Sequence, residues 1–569
     1  MLKTLLVCRR NKLLTIIINI VILCIIGENS MAKRLAIAFF VVLGVCVLLV
    51  SGFLLVLFLA PGFSIFGIKY IAKDTHILVY EDTRVVDVSS VGGQFDGSIT
   101  INTNEVPVEI CFSATGSASN AIRFTYVDNF NGITNSKFDD PSLEIKKENG
   151  GVVFITHEFQ KLIYESSTSN RLLKIYLPSR YAAESANNLI INAGKANVSF
   201  YFENDNAKVF TPNFDRVEIN TTGKININSK ITADTYAQTS NGSIEIAAGE
   251  TNNINATNYA LVSKNGKINV KRNIDGYLLA ETKNGEINLM ACKNLIATTE
   301  DGNITASGDI SGLVKINAKG GNVSLGKVLG EVPDGDIISN TVSTSSGNVV
   351  IERLYNGEIS THRGSVSIKN SNDLKVSTNM GKVVVEEAIS AISVETVRGN
   401  VTLGGQGMTL NNPKVFTRLG KVEILSANGT ADIQTISSNI NFDNSTCDEI
   451  KINCGGKLTA SNLLGNVEIN SQKNIDIAFG QIRNGDNIVI TLGDTATFAK
   501  ITATNNTARD TRYILTGKTV TRFEKNANGT FSKVDNGSDL SNTNEPTVVG
   551  GLIKVTGSSN TDVEIYFNS

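Results

Sequence analysis

The chain has 569 residues, of which 41% are hydrophobic and 19% charged, a balance too apolar for a disordered chain. Residues 1–60 hold six basic residues (Lys3, Arg9, Arg10, Lys12, Lys33, Arg34) and one acid (Glu28), which leaves 46 basic and 53 acidic residues downstream, a net −7. A mildly acidic body without basic runs argues against nucleic-acid binding, and seven cysteines without a C-x-x-C pair, beside three histidines, give neither a zinc pattern nor a disulfide framework.

Residues 1–30 read as a short apolar leader. Its apolar run, Leu13 to Ile26, is 14 residues long, short for a membrane span. Met31-Ala32-Lys33-Arg34 reads as an ordinary start, and the codons for Gly27-Glu28 can spell a bacterial ribosome-binding sequence just upstream. Residues 31–60 are expected to be a signal-anchor helix. Leu35 to Ala60 is 26 residues without a charge, reaching roughly 39 Å as a helix against a hydrocarbon core of about 30 Å. A cleaved signal peptide is the alternative, but the apolar stretch is long and Phe58 spoils the small-x-small pattern before Pro61. From Met31, Lys33 and Arg34 stay inside and everything after Pro61 lies outside, although Lys69 and Lys73 weaken that asymmetry. From Met1, two spans would form a hairpin and leave the body in the cytoplasm.

Residues 61–170 are rich in strand-forming residues without a repeat (GSITINT, VPVEICFSA, AIRFTYVD, GGVVFITHEF) and are expected to cap the first coil of a repeat downstream. Residues 171–504 are expected to be that repeat. Its unit is apolar-x-Thr/Ser-x-x-Gly-x-apolar-x-apolar, clearest in LVSKNGKINV (261–270), AETKNGEINL (280–289), VSTNMGKVVV (376–385), VETVRGNVTL (394–403) and VFTRLGKVEI (415–424). The glycines fall at 223, 242, 266, 285, 302, 321, 347, 364, 381, 399 and 420, and most intervals are 17–19 residues. Apolar residues two and four places after each glycine give a strand with one buried face. The glycines (Gly223, Gly242, Gly266, Gly285, Gly302, Gly364, Gly381, Gly399, Gly420) are expected to supply the positive φ of a sharp corner. The hydroxyls three residues earlier, among them Thr282, Thr361, Thr378, Thr396 and Thr417, are expected to bond the corner backbone and to stack into a ladder.

A string of hairpins could use the same unit, but a near-constant interval favours a solenoid. At about 3.3 Å per residue the unit makes a coil of perimeter ~60 Å, and roughly fifteen coils spaced ~4.8 Å apart would make a rod of ~70 Å. The intervals of 24 and 26 then read as loops at one corner. The fold predicted is all-β: a parallel β-helix with a β-rich N-terminal cap, preceded by a transmembrane helix. Residues 505–569 are expected to hold a polar insertion, with 523–547 a loop or mobile segment, followed by the capping strands VVGGLIKVTG and TDVEIYF.

The Thr/Ser-x-x-Gly-x-Ile/Val-x-Ile/Val rungs and the lead-in LLKIYLPSRYAAESANNLIINAGKANVSF (172–200) resemble the bacterial adhesin-type domains of unknown function. The resemblance covers roughly residues 170–500 and implies a single-stranded, right-handed parallel β-helix. The chain departs from it by the long polar insertion near the C-terminus. For function the resemblance implies little, because adhesion is itself an inference within that family.

Candidate chemistry is sparse. Asp334/Asp336 and Glu386/Glu387 are the nearest carboxylate pairs to what glycoside cleavage requires, and both fall where solvated turns are expected. His76, His157 and His362 have no nucleophile context, and no calcium-roll repeat is present. Cys447 and Cys454 read as buried small hydrophobes, with a disulfide outside the cell as the alternative. No catalytic residue, cofactor or metal is expected. The function expected is that of a membrane-anchored, non-catalytic cell-surface protein of a bacterium, single-pass with its bulk extracytoplasmic. Leu35 to Ala60 would be the anchor, and surface glycans or proteins would be the partners, held by ladders of polar side chains. Its rival is a membrane-associated scaffold that polymerises in the cytoplasm. An enzyme acting on envelope polysaccharide is a distant third.

Overall fold

In the computed structural model the described residues are 30–59, 64–65, 68–72, 77–80, 85–87, 97–112, 121–135, 141–148, 150–159, 161–178, 181, 187–202, 213–228, 231–247, 258–330, 339–408, 410–504, 506–508, 511–542 and 551–568. They fall into two compact units, one of residues 1–81, 125–144 and 156–172, the other of 82–124, 145–155 and 173–569.

The first unit begins with a helix, Ser30–Leu59, that stops short of Pro61. Its segment Ile37–Val56 is long and apolar enough to cross a membrane, and none of that segment is buried against protein. A four-stranded antiparallel sheet comes next, in the order Ser64–Ile65, Ile68–Ile71, Gly132–Asn135, Lys161–Glu165. Ile71, Phe130 and Phe159 form its buried cluster. Arg171 is buried there, with Nε donating to Asp128 Oδ1 at 2.8 Å and Nη2 to Glu158 Oε2 at 3.1 Å and to the Phe159 carbonyl at 2.7 Å. Its guanidinium lies over the Phe130 ring, 5.1 Å from the centroid. Burial pushes the Asp128 carboxyl above its usual range even against the pull of Arg171. Removing the arginine would strand buried carboxylates, a loss of about 3–5 kcal/mol.

The second unit is a parallel β-solenoid, as the repeat interval predicts. In each coil a strand leads into the Thr-x-x-Gly corner and a shorter strand leaves it. Successive coils pair in register, so that Thr221, Thr239, Ser263, Thr282, Thr299, Ala318, Thr344, Thr361, Thr378, Thr396, Thr417 and Thr435 form one column. The strands after the corner form a second ladder, in which Ile225, Ile244, Ile268, Ile287 and Ile304 stack one above another, all fully buried. A third, narrower ladder closes the coil: Ile274, Cys292, Ile310, Val328, Leu354, Ser371, Ala388, Leu410, Ala427 and Ser445. Alternation along each strand decides which side chains enter the core. Ile244 and Ile246 point in while Glu245 points out, and the core fills with stacked Ile, Val and Leu.

Both ends differ from the expectation in the same way. Ile99–Asn102 and Val108–Phe112, expected in a non-repeating cap, are a regular rung pair. They lie between the strands Gly151–His157 and Asn170–Leu177 on one side and Asn188–Asn192 and Val198–Phe202 on the other. The first coil in sequence is therefore second in the stack. At the other end Leu552–Thr556 and Asp562–Asn568, expected to be terminal, pair on Asn487–Leu492 and Phe498–Thr504 and are themselves covered by Arg512–Lys525. The segment expected as a loop is a hairpin as far as Asn542, because Arg512–Lys525 pairs antiparallel with Phe531–Asn542. Phe523 stacks on Tyr566 at 4.5 Å, Phe531 meets the same ring edge-on, and Arg522 pairs with Asp535 at 2.6 Å. The outer strand exposes Lys533 and Asp539, charges that discourage further strand pairing. Residues 543–550 lie outside the described residues, as do the leader 1–29 and most of the two insertions, 248–257 and 331–338.

Candidate interaction surface

The Thr–Gly corner is where the sequence concentrates its signal. The hydroxyls of Thr239, Ser263, Thr282 and Thr299 each have two partners there. Thr282 Oγ1 accepts from the Gly285 N–H at 3.0 Å and donates to the Gly266 carbonyl of the previous coil at 3.2 Å. Ser263 does the same with Gly266 and Gly242 (2.8 and 3.0 Å), and Thr239 with Gly242 and Gly223 (3.0 and 2.7 Å). Thr378, Thr396 and Thr417 accept from Gly381, Gly399 and Gly420 at 3.1, 2.9 and 3.0 Å. Thr361 departs from the pattern: its hydroxyl donates to the Gly364 carbonyl at 2.7 Å and meets the Thr378 hydroxyl at 3.2 Å.

The glycines stand at the corner for a reason other than the one expected. None of Gly223, Gly242, Gly266, Gly285, Gly302, Gly364, Gly381, Gly399 or Gly420 has a positive φ. Space is what excludes a side chain. A Cβ on Gly302 would stand 1.6 Å from the Gly285 carbonyl oxygen, and on Gly242, Gly266, Gly285, Gly364, Gly381, Gly399 or Gly420 it would stand 1.7–1.9 Å from the carbonyl oxygen of the glycine one coil before. Gly223, which stacks on Ala196, has slightly more room at 2.3 Å. The glycine hydrogen in the Cβ position thus faces a carbonyl oxygen, the arrangement of a Cα–H···O contact. Left-handed backbone occurs elsewhere, at Asn356, Asn412, Asn444 and Asn462, positions that the repeat motif does not mark.

Asparagines extend the ladder outward. Asn265 Nδ2 donates to Asn241 Oδ1 at 2.9 Å and Asn284 Nδ2 to Asn265 Oδ1 at 2.8 Å. Just past the glycine, Asn303, Asn322 and Asn348 each accept a backbone N–H from the next coil at 2.8–2.9 Å. Cys454 takes the threonine place opposite Thr435 and sets its thiol against the Ser438 and Gly456 carbonyls at 3.5 and 3.3 Å. Burial raises that thiol above its usual range, and Cys292 is pushed up to about 12 for the same reason. Cys447 and Cys454 are free thiols, so the alternative of a bridge between them is not seen.

The side chains carried on the corner change along the stack. Over residues 263–302 they are charge-balanced: Lys267 pairs with Glu286 at 2.7 Å and Lys283 with Glu300 at 3.7 Å. The hydrogen bond from Lys267 holds the Glu286 carboxyl below its usual range. Over 361–438 the exposed corner positions are His362, Arg363, Ser365, Met380, Lys382, Val397, Arg398, Asn400, Arg418, Leu419, Lys421, Ile436, Ser437 and Asn439, with no acid among them.

The outward column of the second ladder is a different kind of surface. Asn269, Asn288, Thr305, Ser324, Val350, Ser367, Val384 and Thr402 succeed one another in register and carry no charge. A shallow groove of about 450 Å³ runs beside Thr305, Ser324 and Ser367 and is flanked by Glu352, Lys369 and Glu386. Glu387, expected as Glu386's partner, instead accepts a hydrogen bond from Asn370 of the previous coil. Asp334, Asp336 and His76 lie outside the described residues. His157 stands exposed, 3.5 Å from Glu144, and His362 stands at the corner, 3.4 Å from Asn379 Nδ2. Among the described residues no group of three or more His, Cys, Asp or Glu is placed to hold a metal ion.

No curated protein and no solved structure matches the chain. Residues 97–331, which open on the inserted first rung and run through the balanced part of the corner, match the model of the Toastrack DUF4097 family, a β-solenoid domain of unknown function.

Proposed function

We propose that this is a non-catalytic bacterial protein, anchored by the helix Ser30–Leu59, that presents its solenoid outside the cell for adhesion or envelope contact. The observation that carries this reading is the pairing of an apolar, unburied span with a solenoid whose outward column repeats Asn269, Asn288, Thr305 and Ser324 in register. Side chains repeated at about 4.8 Å offer many weak contacts to a repetitive partner such as a surface glycan. The hairpin 512–542 over the last coil weighs against end-to-end polymerisation, since it covers the edge on which a second copy would stack. Two measurements on the full chain test the proposal. Alkaline washing should leave it in the membrane fraction, and Leu48→Arg with Val50→Arg should release it. Purified in detergent, it should bind envelope polysaccharide without releasing shorter products. Release of new reducing ends would replace this reading with the enzymatic one.

A further inference from the structure

We propose that the corner of coils 361–438 is a docking edge for an anionic phospholipid surface. Three observations carry it. Met380, Val397, Leu419 and Ile436 are each 39–53% exposed, and all lie at one corner in four consecutive coils, an unusual concentration of large apolar groups in water. Arg363, Lys382, Arg398, Arg418 and Lys421 stand among them, and none forms an ion pair with any described residue, whereas over 263–302 two of the three corner lysines, Lys267 and Lys283, are paired and Lys264 is not. The acids that flank this edge lie on the strand faces beside it: Glu395, one residue before Thr396, where its field acts on Lys375, and Glu423, two residues after Lys421.

The mixture selects the occupant. Unpaired guanidinium and ammonium groups call for an anion, and arginine suits phosphate oxygens in particular. A soluble polyanion would engage the cations and leave the apolar side chains in water. A phospholipid surface satisfies both, because side chains of one ridge meet one plane: the cations reach headgroup phosphates while Leu419, Val397 and Ile436 enter the boundary between headgroups and acyl chains. The chain's own apolar helix supplies a membrane at high effective concentration, so individually weak contacts suffice.

The chain contains no tryptophan, so one substitution creates a unique fluorophore. Leu419→Trp and Asn284→Trp place it at equivalent exposed positions, each immediately before the corner glycine. The full chain is reconstituted into vesicles of phosphatidylcholine alone or with phosphatidylglycerol, with or without brominated acyl chains. The expected result is a blue shift and bromine quenching for Leu419→Trp in anionic vesicles only, with Asn284→Trp unaffected in both. Changing Arg363, Arg398 and Arg418 together to Gln should abolish the shift while leaving circular dichroism and the melting midpoint unchanged. Equal quenching in neutral vesicles would overturn the role of charge. A Leu419→Trp spectrum that ignores both vesicles would overturn the proposal, and a shift produced by a soluble acidic polypeptide alone would assign the edge to a protein partner.

Discussion

The same corner is built twice, over 239–302 and over 361–438, on one backbone plan with different side chains. In both stretches a hydroxyl bonds a glycine N–H and the glycines stack on carbonyl oxygens without room for a Cβ. In the first stretch the residues riding on that frame satisfy one another through asparagine ladders and Lys–Glu pairs. In the second the asparagine ladder persists at Asn400 and Asn439, but the charged riders are all cationic, form no ion pair with a described residue and stand among exposed apolar side chains. The frame is thus a stability device common to both, and a difference in role has to come from the riders.

Substitutions can break that comparison or sharpen it. The largest effect is expected at the frame and should be alike in both stretches. Gly302→Ala and Gly399→Ala each place a methyl less than 2 Å from a backbone oxygen, so two coils must separate. Each should cost about 3 kcal/mol, read as a lower urea midpoint of the detergent-solubilised chain. A tolerated alanine at either site would refute the packing account of these glycines. Thr282→Val and Thr417→Val come next. Each strips a backbone N–H of its hydroxyl acceptor inside the corner, a loss of roughly 1–3 kcal/mol by the same assay. Ala318, which lacks the hydroxyl in the middle of the column, offers the converse. Ala318→Thr should raise stability by about 1 kcal/mol. The smallest effects belong to the riders. Arg398→Gln or Arg418→Gln should change stability by less than about 0.5 kcal/mol, since nothing in the fold depends on either charge. Lys267→Gln should lower the midpoint only slightly, and less at high salt, because its ion pair with Glu286 is exposed.

Much of the solenoid was legible in the sequence, because strand alternation and a 17–19-residue interval are direct traces of stacked coils. The hydroxyl column could be read off as well. What stayed hidden depended on through-space relations. The motif marks a glycine but does not say whether φ or space requires it, and only the stacked carbonyls show that space does. The order of coils at the ends was equally hidden. GSITINT and TDVEIYF look like local strands, and nothing local reveals that each is inserted between coils distant in the chain. The hairpin at 512–542 was missed because its polar composition reads as loop, although one face of Arg512–Lys525 covers the last rung. The basic–apolar edge was scattered across five repeats, and in-register stacking brings those residues to a single line.

The central claim is that the anchored solenoid faces out of the cell, and one measurement addresses it most directly. Intact cells making the full chain are treated with protease, and the 172–569 fragment is tracked by immunoblot beside a cytoplasmic control. Loss of the fragment while the control survives is the predicted result. Full protection, with digestion only after lysis, would contradict it and make the cytoplasmic scaffold the leading account.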